Sequence, residues 1–126
     1  MGYCFGGTVA LELARSGVEL AGTVSFHGGL NTPTPQDAKN IKGTVLALHG
    51  ADDPWVPANE VAAFKKEMAD AKIPLSFIAY PNAVHAFTNP AAGNDNSKGA
   101  AYNADADKKS WTEFMNYLNK TTGILR

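Results

Sequence analysis

Gly2-Tyr3-Cys4-Phe5-Gly6-Gly7 opens the chain as a G-x-C-x-G pattern with one further glycine behind it. A strand that turns abruptly into a helix can hold its apex residue up only where small neighbours leave the crowded backbone room. A nucleophile is the residue that such an elbow presents. The stretch 6–16, GGTVALELARS, reads as the helix, with Val9, Leu13 and neighbouring alanines on one face and Gly17 as its stop signal. The helix is expected and the strand that should feed it is not, because only three residues precede Cys4. At a helix N-terminus Cys4 would feel the positive end of the macrodipole, which favours thiolate and predicts a pKa below that of a free thiol. A buried structural cysteine is the competing reading; the bracketing glycines favour the nucleophile.

Two more segments complete a constellation. Residues 46–57, LALHGADDPWVP, are an apolar run that ends in a turn carrying two acids, and residues 80–87, YPNAVHAF, run into a loop carrying His85. The order nucleophile, acid, histidine is that of α/β-hydrolase triads and differs from the orders of the chymotrypsin and subtilisin types. Each candidate lies just past the C-terminal end of an expected strand, where open parallel sheets build their sites.

With GYCFGG, HGADDPWVP and VHAFTNP in view, the chain resembles the C-terminal part of the dienelactone hydrolase family, over nearly its whole length to about Asn119. The resemblance implies a cysteine nucleophile at Cys4, an acid at Asp53 in the G-x-x-D-x-x-V-P turn and a histidine base at His85. Asp53 would hold the imidazole tautomer, and the backbone N–H of Phe5 would give one oxyanion donor. It also implies a hydrolase of small esters or lactones that needs no cofactor. Better-known lactone-cleaving members carry an arginine one helical turn after the histidine, where this chain has Asn89. An amide cannot pair with a carboxylate as a guanidinium does, so a dienelactone substrate does not follow.

The expected fold is a single α/β domain over 1–126: a three-layer, partial α/β-hydrolase fold with a short parallel sheet of about three strands and flanking helices. Leu20 to Phe26, Thr44 to His49 and Leu75 to Tyr80 have strand length and composition. A helix over about 59–71 would bury Val61, Phe64 and Met68, with Lys65, Lys66, Glu67 and Asp70 on its outer side. A last helix over about 106–119 would bury Trp111, Phe114, Met115 and Leu118. The first half of the family's sheet is absent from this pattern, and an exposed edge at Leu20 to Phe26 would need cover. A homo-oligomer through that edge, or through the segment Met1 to Cys4, is therefore expected; a truncated reading frame is the alternative.

Composition narrows the rest. Of 126 residues 44% are hydrophobic, enough for one core, and the net charge of −1 with mixed signs points to neither nucleic acid nor an anionic membrane. One cysteine excludes an internal disulfide and suits a reducing, cytoplasmic setting, and neither a leader nor a membrane-length apolar run is read. No glycine-rich phosphate-binding motif is present. His27, in Phe26-His27-Gly28-Gly29, is a candidate substrate contact, with a backbone-bonded loop histidine as the plainer reading. His49 reads as a satisfied core group. Trp55 and Phe87 would line the substrate pocket or simply pack. A metal site drawn from His27, His49, Asp52 and His85 lacks any ligand spacing to support it, so none is expected. The competing functional reading is a catalytically impaired fragment or assembly module that keeps the triad residues by descent.

Overall fold

A computed structural model of the chain describes residues 1–123. Four parallel strands form one sheet in the order β1-β2-β3-β4: β1 (Gly2–Tyr3), β2 (Gly22–Phe26), β3 (Thr44–Gly50) and β4 (Leu75–Tyr80). Three helices accompany them, α1 (Phe5–Arg15), α2 (Ala58–Asp70) and α3 (Ala104–Thr122). The expectation of three strands is corrected by β1. Gly2 and Tyr3 pair with Ser25 and Phe26, so a strand of two residues does feed the elbow. So short a strand carries no period-2 pattern from which to read it.

Because the sheet grows in one direction, the crossovers stay on one of its faces. On that face Leu11 and Ala14 of α1, Ala38 and Ile41 of the middle crossover, and Phe64 and Met68 of α2 close one core against Val45 and Ala47 of β3. Leu46 and Leu48, the alternate residues of β3, point the other way and join Val24, Phe26, Tyr80 and Phe87 in a second core. Only α3 is left to cover that side, with Ala106, Phe114 and Tyr117. A period of two along β3 thus sorts the side chains into the two outer layers of a three-layer α/β domain.

Several expected burials differ. Trp111 is 50% exposed, and Phe114, Met115 and Leu118 are half-buried. The wholly buried residues of α3 are the small ones, Ala106 and Ser110, which let the helix sit close to the sheet. Val61 is half-buried. Glu67, read as an outer residue of α2, is buried against Arg15. The guanidinium donates from Nε to Glu67 Oε2 at 2.6 Å and from a terminal nitrogen to Oε1 at 2.8 Å, and it also reaches Glu12. This two-pronged pair fastens α1 to α2 across the first core.

The expected open edge at β2 is covered only in part. Phe26 and Ser25 are paired on both sides, by β1 and β3, while Gly22, Thr23 and Val24 pair only with β3. Apolar side chains stay open at the N-terminal segment, where Met1 and Tyr3 are 55% and 40% exposed, and on the outer face of α1, where Phe5, Val9 and Leu13 recur every fourth residue and are 77%, 48% and 51% exposed.

The buried ion pair sets a stability test. Arg15→Met should cost about 3–5 kcal/mol, since Glu67 is then left charged and unpaired. The double change Arg15→Met with Glu67→Leu should recover most of that loss. Urea unfolding of the three proteins checks it; a double variant no more stable than Arg15→Met would contradict the account.

Candidate active site

All four strands end on the same edge of the sheet, and the turns that leave them carry Cys4, His27, Asp53 and the loop of His85. Parallel topology alone therefore gathers residues from four separate stretches. Backbone geometry then sharpens the assembly. Cys4 has φ 54° and ψ −125°, a strained conformation for a residue with a side chain. Its N–H donates to Phe26 O at 3.0 Å, and its carbonyl accepts from Gly7 N–H at 2.9 Å, so the turn is tied down on both sides. His27 and Ala86, beside the same edge, also have positive φ, 41° and 58°.

The glycines earlier grouped as one motif do different things. A Cβ on Gly2 would lie 2.0 Å from Gly6 O, and one on Gly7 would lie 2.4 Å from Ser25 Oγ and 3.2 Å from Gly28 Cα. Gly2 permits the sharp turn and Gly7 permits α1 to press onto β2. A Cβ on Gly6 meets nothing within 4 Å, so its place in the motif is not enforced by space at that point.

Asp53 is buried, and its two oxygens are both engaged. Oδ1 accepts from Trp55 N–H at 2.9 Å, and Oδ2 lies 3.1 Å from His85 Nδ1. Asp52 is exposed and uses its backbone N–H toward Ala83 O. The His85 loop is pinned by strand-like bonds, its N–H to Gly99 O at 3.1 Å and its carbonyl from Ala101 N–H at 3.1 Å. The carboxylate bond at Nδ1 leaves Nε2 as the free ring nitrogen. Cys4 Sγ, a ring nitrogen of His27 and a ring nitrogen of His85 lie within 4.8 Å of one another.

His27 is closest to the sulfur. Its Nδ1 is 3.3 Å from Cys4 Sγ and its Nε2 is 2.9 Å from Thr88 Oγ1. A backbone bond also exists, from His27 N–H to Leu48 O at 2.7 Å, but the ring is spent on Cys4 and Thr88. Thr88 was not singled out from sequence, and no spacing rule would have found it. Burial, and then the neighbouring His85, pull the His27 pKa down to about 4, against weaker opposing effects of its backbone hydrogen bond and Asp53. His27 is therefore a neutral ring at pH 7. Burial pushes the Cys4 thiol up from its ordinary value, and the negative charge of Asp53 adds to the rise. This reverses the depressed pKa expected from the helix terminus: the desolvation and the nearby carboxylate both oppose the thiolate.

The other candidates separate. Trp55 is exposed and packs its ring edge-on to His85, with centroids 5.1 Å apart. Phe87 is wholly buried, its ring 4.8 Å from that of His27, so it supports the site from below and does not line a pocket. Asn89 is exposed, and its side chain accepts from Ala91 N–H to cap a short turn. His49 is buried among apolar groups with Nδ1 lacking a hydrogen-bond partner, so it is not the satisfied group expected; burial lowers its pKa. Of the metal set drawn from sequence, His27 and His85 come together but with Cys4, and neither His49 nor Asp52 joins them. A cleft of about 440 Å³ between Pro35, Gln36, Lys39, Glu67, Asp70 and Ala71 contains none of these residues.

Comparison with known proteins gives this arrangement its context. The sequence model of the dienelactone hydrolase family matches residues 1–122. A "Putative carboxymethylenebutenolidase" of Saccharolobus solfataricus is 32% identical over 97% of this chain and 44% of its own length. The solved structure named m3DLH superposes with a TM-score of 0.89 at 43% identity, over 95% of this chain and 50% of that one. P91, a dienelactone hydrolase-like promiscuous phosphotriesterase from metagenomic libraries, gives 0.86 at 41% identity over the same shares. The chain thus spans about half the length of these relatives, with the partial α/β-hydrolase fold that the spacing of its motifs predicts. By the match along nearly its whole length, the chain belongs to the dienelactone hydrolase family.

Proposed function

We propose that this chain carries the catalytic half of a thiol-dependent hydrolase of small carboxylic esters or lactones. The observation that carries the reading is the buried Asp53 carboxylate 3.1 Å from His85 Nδ1, on a loop that brings the opposite side of that ring toward Cys4. In this mechanism His85 Nε2 takes the thiol proton as Cys4 Sγ attacks the carbonyl carbon. Asp53 stabilises the imidazolium and keeps Nδ1–H in place. The carbonyl π pair moves to oxygen, and the N–H of Phe5, at the first turn of α1 and without an intrahelical acceptor, donates a hydrogen bond to that oxyanion. Collapse expels the alkoxide, which takes the proton from His85. Water, deprotonated by the same ring, then attacks the thioester carbonyl; the C–S bond breaks, the carboxylic acid leaves, and the Cys4 sulfur takes the proton back from His85.

His27 acts on the resting state. As a neutral ring it accepts the Cys4 S–H, which parks the sulfur as a thiol until a substrate draws it toward His85. Trp55, exposed beside His85, is the side chain that would meet a substrate, whereas His27 is buried and would act on one only through Cys4; Asn89 stands where an arginine would favour an anionic one. A free thiol of this kind fits a reducing compartment such as the cytoplasm, and no described helix is long and apolar enough to cross a membrane.

The second oxyanion donor of this fold comes from a loop after an early strand. Loss of one donor costs about a hundred- to a thousandfold in rate. The open stripe Phe5, Val9, Leu13 on α1 favours association of copies as the way this chain covers itself. The competing reading is a catalytically impaired fragment or assembly module that keeps the triad residues.

Three outcomes follow. Asp53→Asn should lower hydrolysis of a p-nitrophenyl ester by orders of magnitude, and Asp52→Asn little, because only Asp53 reaches His85. Equal losses would refute the assignment of the acid, and running a p-nitrophenyl phosphotriester in parallel tests the class named for P91. Alkylation of Cys4 by iodoacetamide should be slow at pH 7 and climb past the ordinary thiol value of about 8.5; a midpoint below that value would remove the parked-thiol account. Sedimentation of the isolated chain should show an oligomer that Leu13→Asp dissociates, whereas a folded monomer at micromolar concentration would exclude self-association.

A further inference from the structure

We propose that Cys4, His27 and His85 form a binding site for a thiophilic divalent cation of the zinc class, with three protein ligands and an open fourth position. The three donor atoms lie within 4.8 Å of one another, and the Cys4 Sγ to His27 Nδ1 separation is 3.3 Å. Tetrahedral zinc, with Zn–S of about 2.3 Å and Zn–N of about 2.0–2.1 Å, sets its ligand atoms roughly 3.3–3.6 Å apart. One pair already has that spacing, and His85 has at most a little over an ångström to close on its surface loop.

The groups behind the ligands are those a metal site requires. Metal-bound histidines usually give their second ring nitrogen to a carboxylate, carbonyl or hydroxyl, which fixes the tautomer and aims the free lone pair. His85 Nδ1 is held by Asp53, leaving Nε2 free, and His27 Nε2 is held by Thr88 Oγ1, leaving Nδ1 turned to the sulfur. Both rings are further fixed by packing, His27 on Phe87 and His85 on Trp55. Three donors of soft and borderline character, one sulfur and two imidazole nitrogens, select zinc, cobalt or copper over magnesium and calcium. Binding forms a metal–sulfur bond in place of the S–H bond and releases that proton to solvent, with no change of oxidation state.

The consequence for catalysis rests on the hydrolase reading above: the cation occupies both the nucleophile and its base, so it acts as a reversible inhibitor. The site itself does not depend on that reading. The test is titration of the reduced, purified chain with Co²⁺, followed by the near-ultraviolet thiolate-to-cobalt charge-transfer band, with Zn²⁺ then displacing the cobalt. One ion per chain is expected. Cys4→Ser should abolish the band. His27→Gln should weaken binding by at least the roughly 10- to 100-fold that losing an outer partner costs, and Thr88→Val by about that amount. Circular dichroism establishes that each variant is folded, and Thr88→Val serves where His27→Gln is not. Absence of one-to-one binding, or equal affinity in wild type and the histidine or threonine variant, would overturn the proposal. Because the band needs no turnover, a chain that binds cobalt yet hydrolyses nothing counts against the hydrolase reading alone, and an active chain that binds no cobalt counts against the metal site alone.

Discussion

Parallel pairing of four strands in sequential order is the constraint from which the rest of this structure follows. A parallel sheet that grows in one direction must return every connection over the same face, and every strand must end on the same edge. The first requirement crowds α1, the middle crossover and α2 onto one layer and leaves α3 to close the other. The second puts the turns after β1, β2, β3 and β4 side by side. The gathering of Cys4, His27, Asp53 and His85 into one candidate site costs no special long-range folding event beyond forming the sheet.

Crowding on the first layer explains two features that look unrelated. Gly7 has no side chain because α1 lies against Ser25 and Gly28. Arg15, the last residue of the same helix, is buried because α1 and α2 meet over the first core, and Glu67 is there to neutralise it. A buried guanidinium is costly unless its planar fork is matched by a carboxylate, and here both prongs are. The pair gives the layer a specific docking geometry that apolar contacts alone do not impose.

At the edge, two histidines of one chain are given opposite characters by their surroundings. His85 sits half-buried with Nδ1 against the Asp53 carboxylate, while His27 lies deep beside Tyr3, Phe87 and the ring of His85, where burial penalises charge. The first ring keeps a nitrogen free on the side away from the carboxylate, and the second is placed to accept a hydrogen bond from the thiol while staying neutral. The strain at Cys4, His27 and Ala86 falls on the residues that bring these groups together, as expected where backbone geometry is subordinated to a site.

Glycine spacing, the apolar runs and the order of Cys4, Asp53 and His85 were enough to read the parallel α/β class, three of the four strands and the candidate triad, because each is written in local pattern. The turn register favours Asp53 over Asp52 as the candidate acid, and Asp53 is the one that lies against His85. Burial was not legible where a residue's partner is remote in sequence: Glu67 looks like an outer residue of α2 until Arg15, 52 positions away, is set against it. Trp111 looks like core until the helix rotation that seats Ala106 and Ser110 turns it to solvent. The two-residue β1 exists only because β2 offers it a ladder. The thiol's raised pKa and the His27 to Thr88 contact likewise depend on which groups share a dry space, and only tertiary packing decides that.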